Sequence, residues 1–194
     1  MQKNIKLLIT SLFILQSTQA ETISKIIDGD TVKVQEIKER LRLYCIDTPE
    51  SKMVGRQKAQ IIDGINVGEL ATIHLQSMIN VGDVISLNCY QNDIHGRPVC
   101  ELFKNGVNIN LLMVKDGYAF ILNKYCKDKQ YLEALKIAKE TRRGIHKYEH
   151  LKSPSEFREC VRDVRERIVI FRSEGSLGAK VLGKTPCFFT PPLF

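Results

Sequence analysis

The sequence predicts an α+β fold, mainly β, in which a small set of strands forms the core and a few helices pack against it. Three observations carry this reading. Apolar residues alternate with polar ones through Ile23–Ile46 and again through Val84–Phe103, the period of half-buried strands. From Glu69 the spacing switches to that of a helix. Two further stretches, after Asn108 and after Asp128, carry an N-capping side chain followed by a helical apolar pattern.

In order, Ile23, Ile26, Ile27, Val32 and Val34 mark two strands around the turn Asp28-Gly29-Asp30-Thr31. Leu41 to Ile46 alternates Leu41, Leu43 and Cys45 against Arg42, Tyr44 and Ile46, a third strand. It stops near Asp47, because Pro49 lacks an N–H and disfavours helix for the residue before it. Ser51–Gly68 is polar with three glycines and reads as a long loop, with room for one helical turn near Gln57–Ile61. Ala71, Leu75 and Met78 recur at helical spacing, and Gly82 follows as a stop. His74 in that helix reads as a packed or surface residue rather than a catalytic one.

Val84–Cys89 and Val99–Phe103 are two strands joined by the turn Asn92-Asp93-Ile94-His95-Gly96-Arg97. Asn108 caps a short helix through Val114, stopped by Gly117, and Asp128 caps another with the stripe Tyr131, Leu135 and Ala138, closed by Gly144. The order is three strands, helix, two strands, helix, helix. Beyond Ser153 the pattern weakens. Residues Glu156–Arg172 fit a helix or a strand, and Ser173–Phe194 is an extension with no assigned order. Three segments follow: residues 1–20, 21–152 and 153–194.

Residues 1–20 read as a secretory signal. Lys3 and Lys6 give a positive start, Leu7–Leu15 is mostly apolar, and cleavage is expected near Ala20. The apolar run is shorter than the roughly 20 residues that span a bilayer, so the mature form is expected to be secreted or periplasmic, with no membrane contact. Losing two lysines and no acid takes the formal net charge from +7 to +5, still a balance that favours polyanions. All six cysteines follow residue 20, and an even number in an exported chain permits disulfides in 15 connectivities. None has C-x-x-C zinc spacing. A hairpin centred on Ile94-His95 sets Cys89 opposite Cys100, where a disulfide or two buried thiols both fit.

The chemistry gathers at strand ends. Asp28, Asp30, Asp47 and Glu50 are hard oxygen donors suited to Ca²⁺ or Mg²⁺ rather than zinc, and Arg42 between them can reach a phosphate. D-G-D-T alone is a common hairpin turn, and D-T-P-E alone a common strand exit. Their order, with Arg42 between them and Arg97 after them, is far more specific. The set I-D-G-D-T-V, R-L-x-x-x-D-T-P-E and D-x-x-G-R resembles the staphylococcal nuclease (thermonuclease) family over Ile23–Gly144, with a weaker echo at S-P-S-E-F-R, Ser153–Arg158.

The resemblance implies a five-stranded OB-type barrel with about three packed helices, a scaffold that binds nucleic acid on one face. It also implies calcium-dependent hydrolysis of phosphodiesters in DNA and RNA, with Mg²⁺ as a substitute, by a monomer. Asp30 and Asp47 would be carboxylate ligands of Ca²⁺ and Thr48 a backbone-carbonyl ligand, with Asp28 beside them. Arg42 would contact the phosphate, Glu50 would activate water, and Arg97 would stabilise the transition state. His95 and Tyr125 would line the substrate pocket. The chain departs from the family pattern at Ile94 and His95, where some members carry Lys and Tyr, at Asn123, where some carry a pocket tyrosine, and at His146, where many carry Trp. A non-catalytic OB binding module is the alternative, and an interaction protein acting through the Cys- and Phe-containing tail is a third reading.

Overall fold

The computed structural model describes residues 19–52 and 59–173. The expected leader up to residue 18, part of the Ser51–Gly68 loop and the tail after Ser173 lie outside the described residues. Gln19 and Ala20, the last residues of the expected leader, run in β1 beside Leu87 and Ser86.

Strand β1 (Gln19–Asp28) pairs antiparallel with β2 (Thr31–Val34) on one side and with β7 (Val84–Asn92) on the other. β2 pairs with β3 (Leu41–Leu43), and β7 with β8 (Pro98–Lys104). The parallel pair β3–β8, with Arg42 beside Val99 and Leu43 beside Cys100, closes the five strands into a ring. Alternation explains what fills it. Ile23, Val32, Val34, Leu41, Leu43, Ile85, Leu87 and Leu102 point inward and are buried in one cluster with residues of the helices. Arg42, out of phase with Leu41 and Leu43, leaves on the other face.

One buried amide holds the closure. Asn110 is 0% exposed. Its Nδ2 donates to the Tyr44 and Cys100 carbonyls at 3.0 Å each, and its Oδ1 accepts from the Leu102 amide at 3.1 Å. It thus satisfies backbone groups on both sides of the β3–β8 seam, where an unpaired polar group would be costly.

The third strand is shorter than the alternation predicts. It breaks after Leu43, because Cys45 adopts φ 70°, a conformation uncommon for a residue with a Cβ. The chain resumes as β4 (Ile46–Asp47), which leaves the ring and pairs with β10 (Phe120–Ile121). A Cys45–Cys126 disulfide and the bond from the Leu122 amide to the Cys45 carbonyl hold this break. The Cys89–Cys100 disulfide is present across the β7–β8 hairpin.

The Ser51–Gly68 stretch is not all loop. Ile61–Ile62 (β5) and Ile65–Asn66 (β6) form a two-residue hairpin over Asp63-Gly64, both with positive φ, the Asp-Gly turn that hairpins favour. The helical turn expected near Gln57–Ile61 falls partly outside the described residues, and Ile61 is a strand residue. Helix α1 (Val67–Met78) starts two residues before the predicted Glu69, because Asn66 caps it by accepting from the Glu69 amide. Gly68 is required there: a Cβ would stand 2.3 Å from the Glu50 carbonyl, so its absence lets the Pro49-Glu50 backbone lie on α1.

Strand β9 (Val107–Asn108) leads into α2 (Ile109–Lys115), capped by Asn108, and α3 (Lys129–Glu140) is capped by Asp128, as the pattern predicts. Gly144 does not close α3, which ends at Glu140 with Thr141 as its C-cap; it opens a 3-10 turn, Gly144–Lys147. Residues after Ser153 are helical, forming α4 (Pro154–Ser173). Four α-helices among the described residues are one more than expected. Pro154 suits a first helical position, and Ser153 and Glu156 cap one another, with the Ser153 amide donating to Glu156 Oε2 at 2.8 Å. His74 lies on α1 away from the cleft described below, stacked on Tyr118 at 4.0 Å and bonded through Nε2 to Asp116 at 2.9 Å.

The 3-10 turn sets Ile145 into a second apolar cluster with Ile62, Val67 and Phe120. His146 packs edge-on against Phe120 at 4.9 Å, and its Nε2 is buried with no hydrogen-bond partner among the described residues. Burial, then the charge of Lys139, pushes its pKa down to about 4. The folded value lies below the ordinary 6.5, so the contribution to stability is complete above about pH 6.5 and is lost as pH falls toward 4. Allowing for the part of the ring that meets water, the loss is roughly 1–2 kcal/mol. Thermal melts of the wild type are expected to fall more steeply between pH 7 and pH 5 than those of His146→Phe. Equal slopes would show that this ring does not govern the acid limb.

Candidate active site

The β1–β2 turn and the broken strand β3–β4 bring two carboxylates to one guanidinium. Asp30 is 3% exposed. Its Oδ2 accepts from the Thr48 amide at 2.8 Å and the Thr48 hydroxyl at 3.0 Å, and its Oδ1 accepts from the Thr31 hydroxyl at 3.0 Å and from Arg42 Nη1. Arg42 Nη2 donates to Asp47 Oδ1 at 2.7 Å and to the Ile46 carbonyl at 3.1 Å. Burial pushes the Asp30 pKa upward, but the charge of Arg42 and the bonds from Thr48 and Thr31 outweigh it, and Asp30 is held below the usual carboxylate range. Arg42 is correspondingly raised: burial opposes its charge, and Asp30 and Asp47 more than restore it.

Asp47 is also 3% exposed, and a second guanidinium reaches it. Arg158, at the start of the second turn of α4, donates through Nη2 to Asp47 Oδ2 at 2.6 Å and through Nη1 to Glu50 Oε1 at 3.0 Å. The result is a continuous chain of charge, Asp30–Arg42–Asp47–Arg158–Glu50. The Glu50 pKa is raised by burial, with Arg158 pulling the other way. Asp28, half-buried, accepts from the Asp30 amide at 3.2 Å. Burial and then the neighbouring charge of Asp30 push its pKa up to about 7. Four carboxylates thus share two guanidiniums, an excess of negative charge in a partly dry place.

These residues line one cleft of about 910 Å³, whose wall also includes His95, Arg97, Tyr125 and Tyr90. The structure therefore brings every sequence-predicted site residue to one cavity, but not into one contact network. Arg97 sits on the β7–β8 loop and donates from Nε to Asp93 Oδ2 at 2.7 Å, with its amide on Asp93 Oδ1 at 2.9 Å. His95 is exposed on the same loop, its amide also bound to Asp93. Tyr125 is 57% exposed, with Lys124 Nζ 5.3 Å from its ring. Thr48 spends its amide and hydroxyl on Asp30. Among the described residues, no three His, Cys, Asp or Glu side chains gather as a metal-holding group. Asp30 and Asp47 are hard oxygen donors of the type that could hold Ca²⁺ or Mg²⁺, and here their oxygens accept from Arg42, Arg158, Thr31 and Thr48.

Sequence reasoning missed Arg158 as a site residue. The S-P-S-E-F-R echo pointed at its position without placing it.

Fold and site together define a ring of strands with a cleft that carries fixed arginines among carboxylates. The profile described as "Staphylococcal nuclease homologue" matches residues 40–148, and the chain belongs to that family. Among curated relatives, an "Uncharacterized endonuclease" of Escherichia coli O157:H7 is 26% identical over 63% of this chain and 74% of its own length. An uncharacterized protein of Bacillus anthracis is 35% identical over 61% of this chain and 56% of its own. Endonuclease YhcR of Bacillus subtilis (strain 168) is 26% identical over 63% of this chain and 11% of its own. No helix among the described residues is long and apolar enough to cross a membrane.

The raised pKa of Asp28 has a measurable sign. Its folded value of about 7 lies above the roughly 3.9 of an unfolded chain, so the folded state binds the extra proton between those values. Stability is therefore lost as pH rises from about 4 to 7, by roughly 1–2 kcal/mol after allowance for the exposed part of the side chain. With chelator present, Asp28→Asn is expected to melt several degrees above wild type at pH 8 and to converge with it near pH 4. A variant no more stable at pH 8 would show that Asp28 ionises freely.

Proposed function

We propose that the protein is an exported, Ca²⁺-dependent nuclease that hydrolyses phosphodiester bonds in DNA and RNA with little sequence specificity, as the endonuclease named among its relatives suggests. The observation that carries the reading is the charge chain Asp30–Arg42–Asp47–Arg158–Glu50, set in a cleft that Arg97 also lines. Export rests on the pattern of residues 1–20, and the disulfides Cys45–Cys126 and Cys89–Cys100 suit an oxidising compartment.

Asp30, Asp47 and the Thr48 carbonyl would hold the cation, whose charge, when bound, would stabilise the negative charge that builds on the non-bridging phosphate oxygens. Arg42 is fixed between Asp30 and Asp47, so it would bring a positioned positive charge to the phosphate. Glu50, with its raised pKa and a side chain on the cleft wall, accepts a proton from the water that attacks phosphorus. Arg97, on the opposite loop, exchanges Asp93 for the phosphate as charge develops. Exposed Tyr125 and His95 offer a ring face and an imidazole to the strand. None of these groups reads a base edge, which is why little sequence preference is expected.

The test is cleavage of labelled single- and double-stranded DNA and of RNA by the purified protein with Ca²⁺, with Mg²⁺ and with chelator. Activity is expected with Ca²⁺ and not with chelator, and is expected to fall on the order of 100-fold or more in Glu50→Gln and in Arg42→Ala. Salt-sensitive nucleic-acid binding without cleavage, unchanged in both variants, would replace the enzyme with a binding module.

A further inference from the structure

We infer that Arg158 is a third arginine of the active site, a positioning residue that holds Glu50 and the outer oxygen of Asp47 and so makes the N-terminal part of α4 part of the reaction machinery. The inference rests on the nuclease reading and assigns a role outside residues 40–148, the span that the family profile matches.

The contact is built, not incidental. One guanidinium bridges two carboxylates, with Nη2 on Asp47 Oδ2 at 2.6 Å and Nη1 on Glu50 Oε1 at 3.0 Å, the forked geometry that arginine favours. Among the described residues, Arg158 is the ion-pair partner of Glu50. The helix that carries it is seated firmly. Phe157, its neighbour, is 1% exposed and Pro154 is buried. Ser153 and Glu156 cap the first turn. Gln60 then ties this turn to the catalytic segment: its amide donates to the Glu50 carbonyl at 2.9 Å, and its Nε2 donates to the Lys152 carbonyl at 2.9 Å. The backbone of Glu50 and the start of α4 therefore move as one piece, and Arg158 closes the same link between side chains.

Two consequences have opposite signs. Without Arg158 the Glu50 carboxylate can turn away from the attacking water, so turnover falls. Without its positive charge, Asp47 and Glu50 present more net negative charge, so a divalent cation binds more tightly. A merely structural strut would weaken both.

The experiment compares the full chain with Arg158→Ala, Arg158→Lys and, as a charge-matched control on the same helix, Arg162→Ala. Calcium affinity is read by calorimetric titration of Ca²⁺ alone, and kcat and KM by cleavage of labelled single-stranded DNA at saturating Ca²⁺. Arg158→Ala is expected to bind Ca²⁺ about threefold to tenfold more tightly and to lose roughly 10- to 100-fold in kcat with little change in KM. Arg158→Lys is expected to restore wild-type calcium affinity while kcat stays low, because one ammonium cannot span both carboxylates. Arg162→Ala is expected to match wild type. An unchanged kcat in Arg158→Ala overturns the inference. So does a raised kcat, which would make Arg158 a plug, and so does a joint loss of calcium affinity, kcat and melting temperature. A wild type that cleaves nothing overturns the nuclease reading instead. The calcium titration, which needs no substrate, then still decides whether Arg158 sets the charge at Asp47 and Glu50.

Discussion

Arg42 lies buried between Asp30 and Asp47, and the rest of the site depends on that bridge. The two carboxylates come from different elements, one from the β1–β2 turn and one from the strand after the Cys45 break. A buried pair of this kind adds little net stability when complete, yet losing one partner costs about 3–5 kcal/mol because the other is left charged and unpaired. The bridge therefore acts as a lock on geometry more than as a source of stability. It forces the turn and the broken strand into one arrangement, and that arrangement aims Asp47, Thr48 and Glu50 at the cleft.

The surroundings stiffen the lock from three sides. Asn110 satisfies the carbonyls on both sides of the β3–β8 seam. The Cys45–Cys126 disulfide ties the break to the segment before α3, across a sequence separation of 81 residues, a long loop whose closure restricts the unfolded chain. Gly68 lets α1 approach the Glu50 backbone more closely than any side chain would permit. Rigid support of this kind is what preorganised charge needs, since a donor that must reorganise gives up part of its effect on the transition state.

How far the sequence disclosed this depends on the range of the cause. Caps and turns are local: Asn108 and Asp128 announce their helices, the Asp28–Thr31 turn announces its hairpin, and Cys89 faces Cys100 across the β7–β8 hairpin, with a register shift between Cys89 and Asn92. The carboxylates and Arg42 were visible for the same reason, being crowded into one short stretch. The break at Cys45 was hidden because Leu41, Leu43 and Cys45 keep the strand period through it, and all three are buried; what turns the chain is a disulfide partner far along the sequence. The β5–β6 hairpin was masked by the polar stretch around it, although Asp63-Gly64 carried the turn signal. Arg158 is 108 residues from Glu50, and no local periodicity relates them.

That last distance bears on where the functional unit ends. The family profile begins at residue 40 and stops at residue 148, yet the charge chain begins at Asp30 and ends at Arg158. A segment cut to the matched span would hold Arg42 with one carboxylate instead of two and would leave Glu50 without its guanidinium. It would also lack β1 and β2, two of the five strands of the ring, so β3 and β7 would be left with unpaired backbone edges. The span that the family profile matches carries Arg42, Asp47 and Glu50. The ion pairs of those groups are completed by residues on either side of it, Asp30 before and Arg158 after.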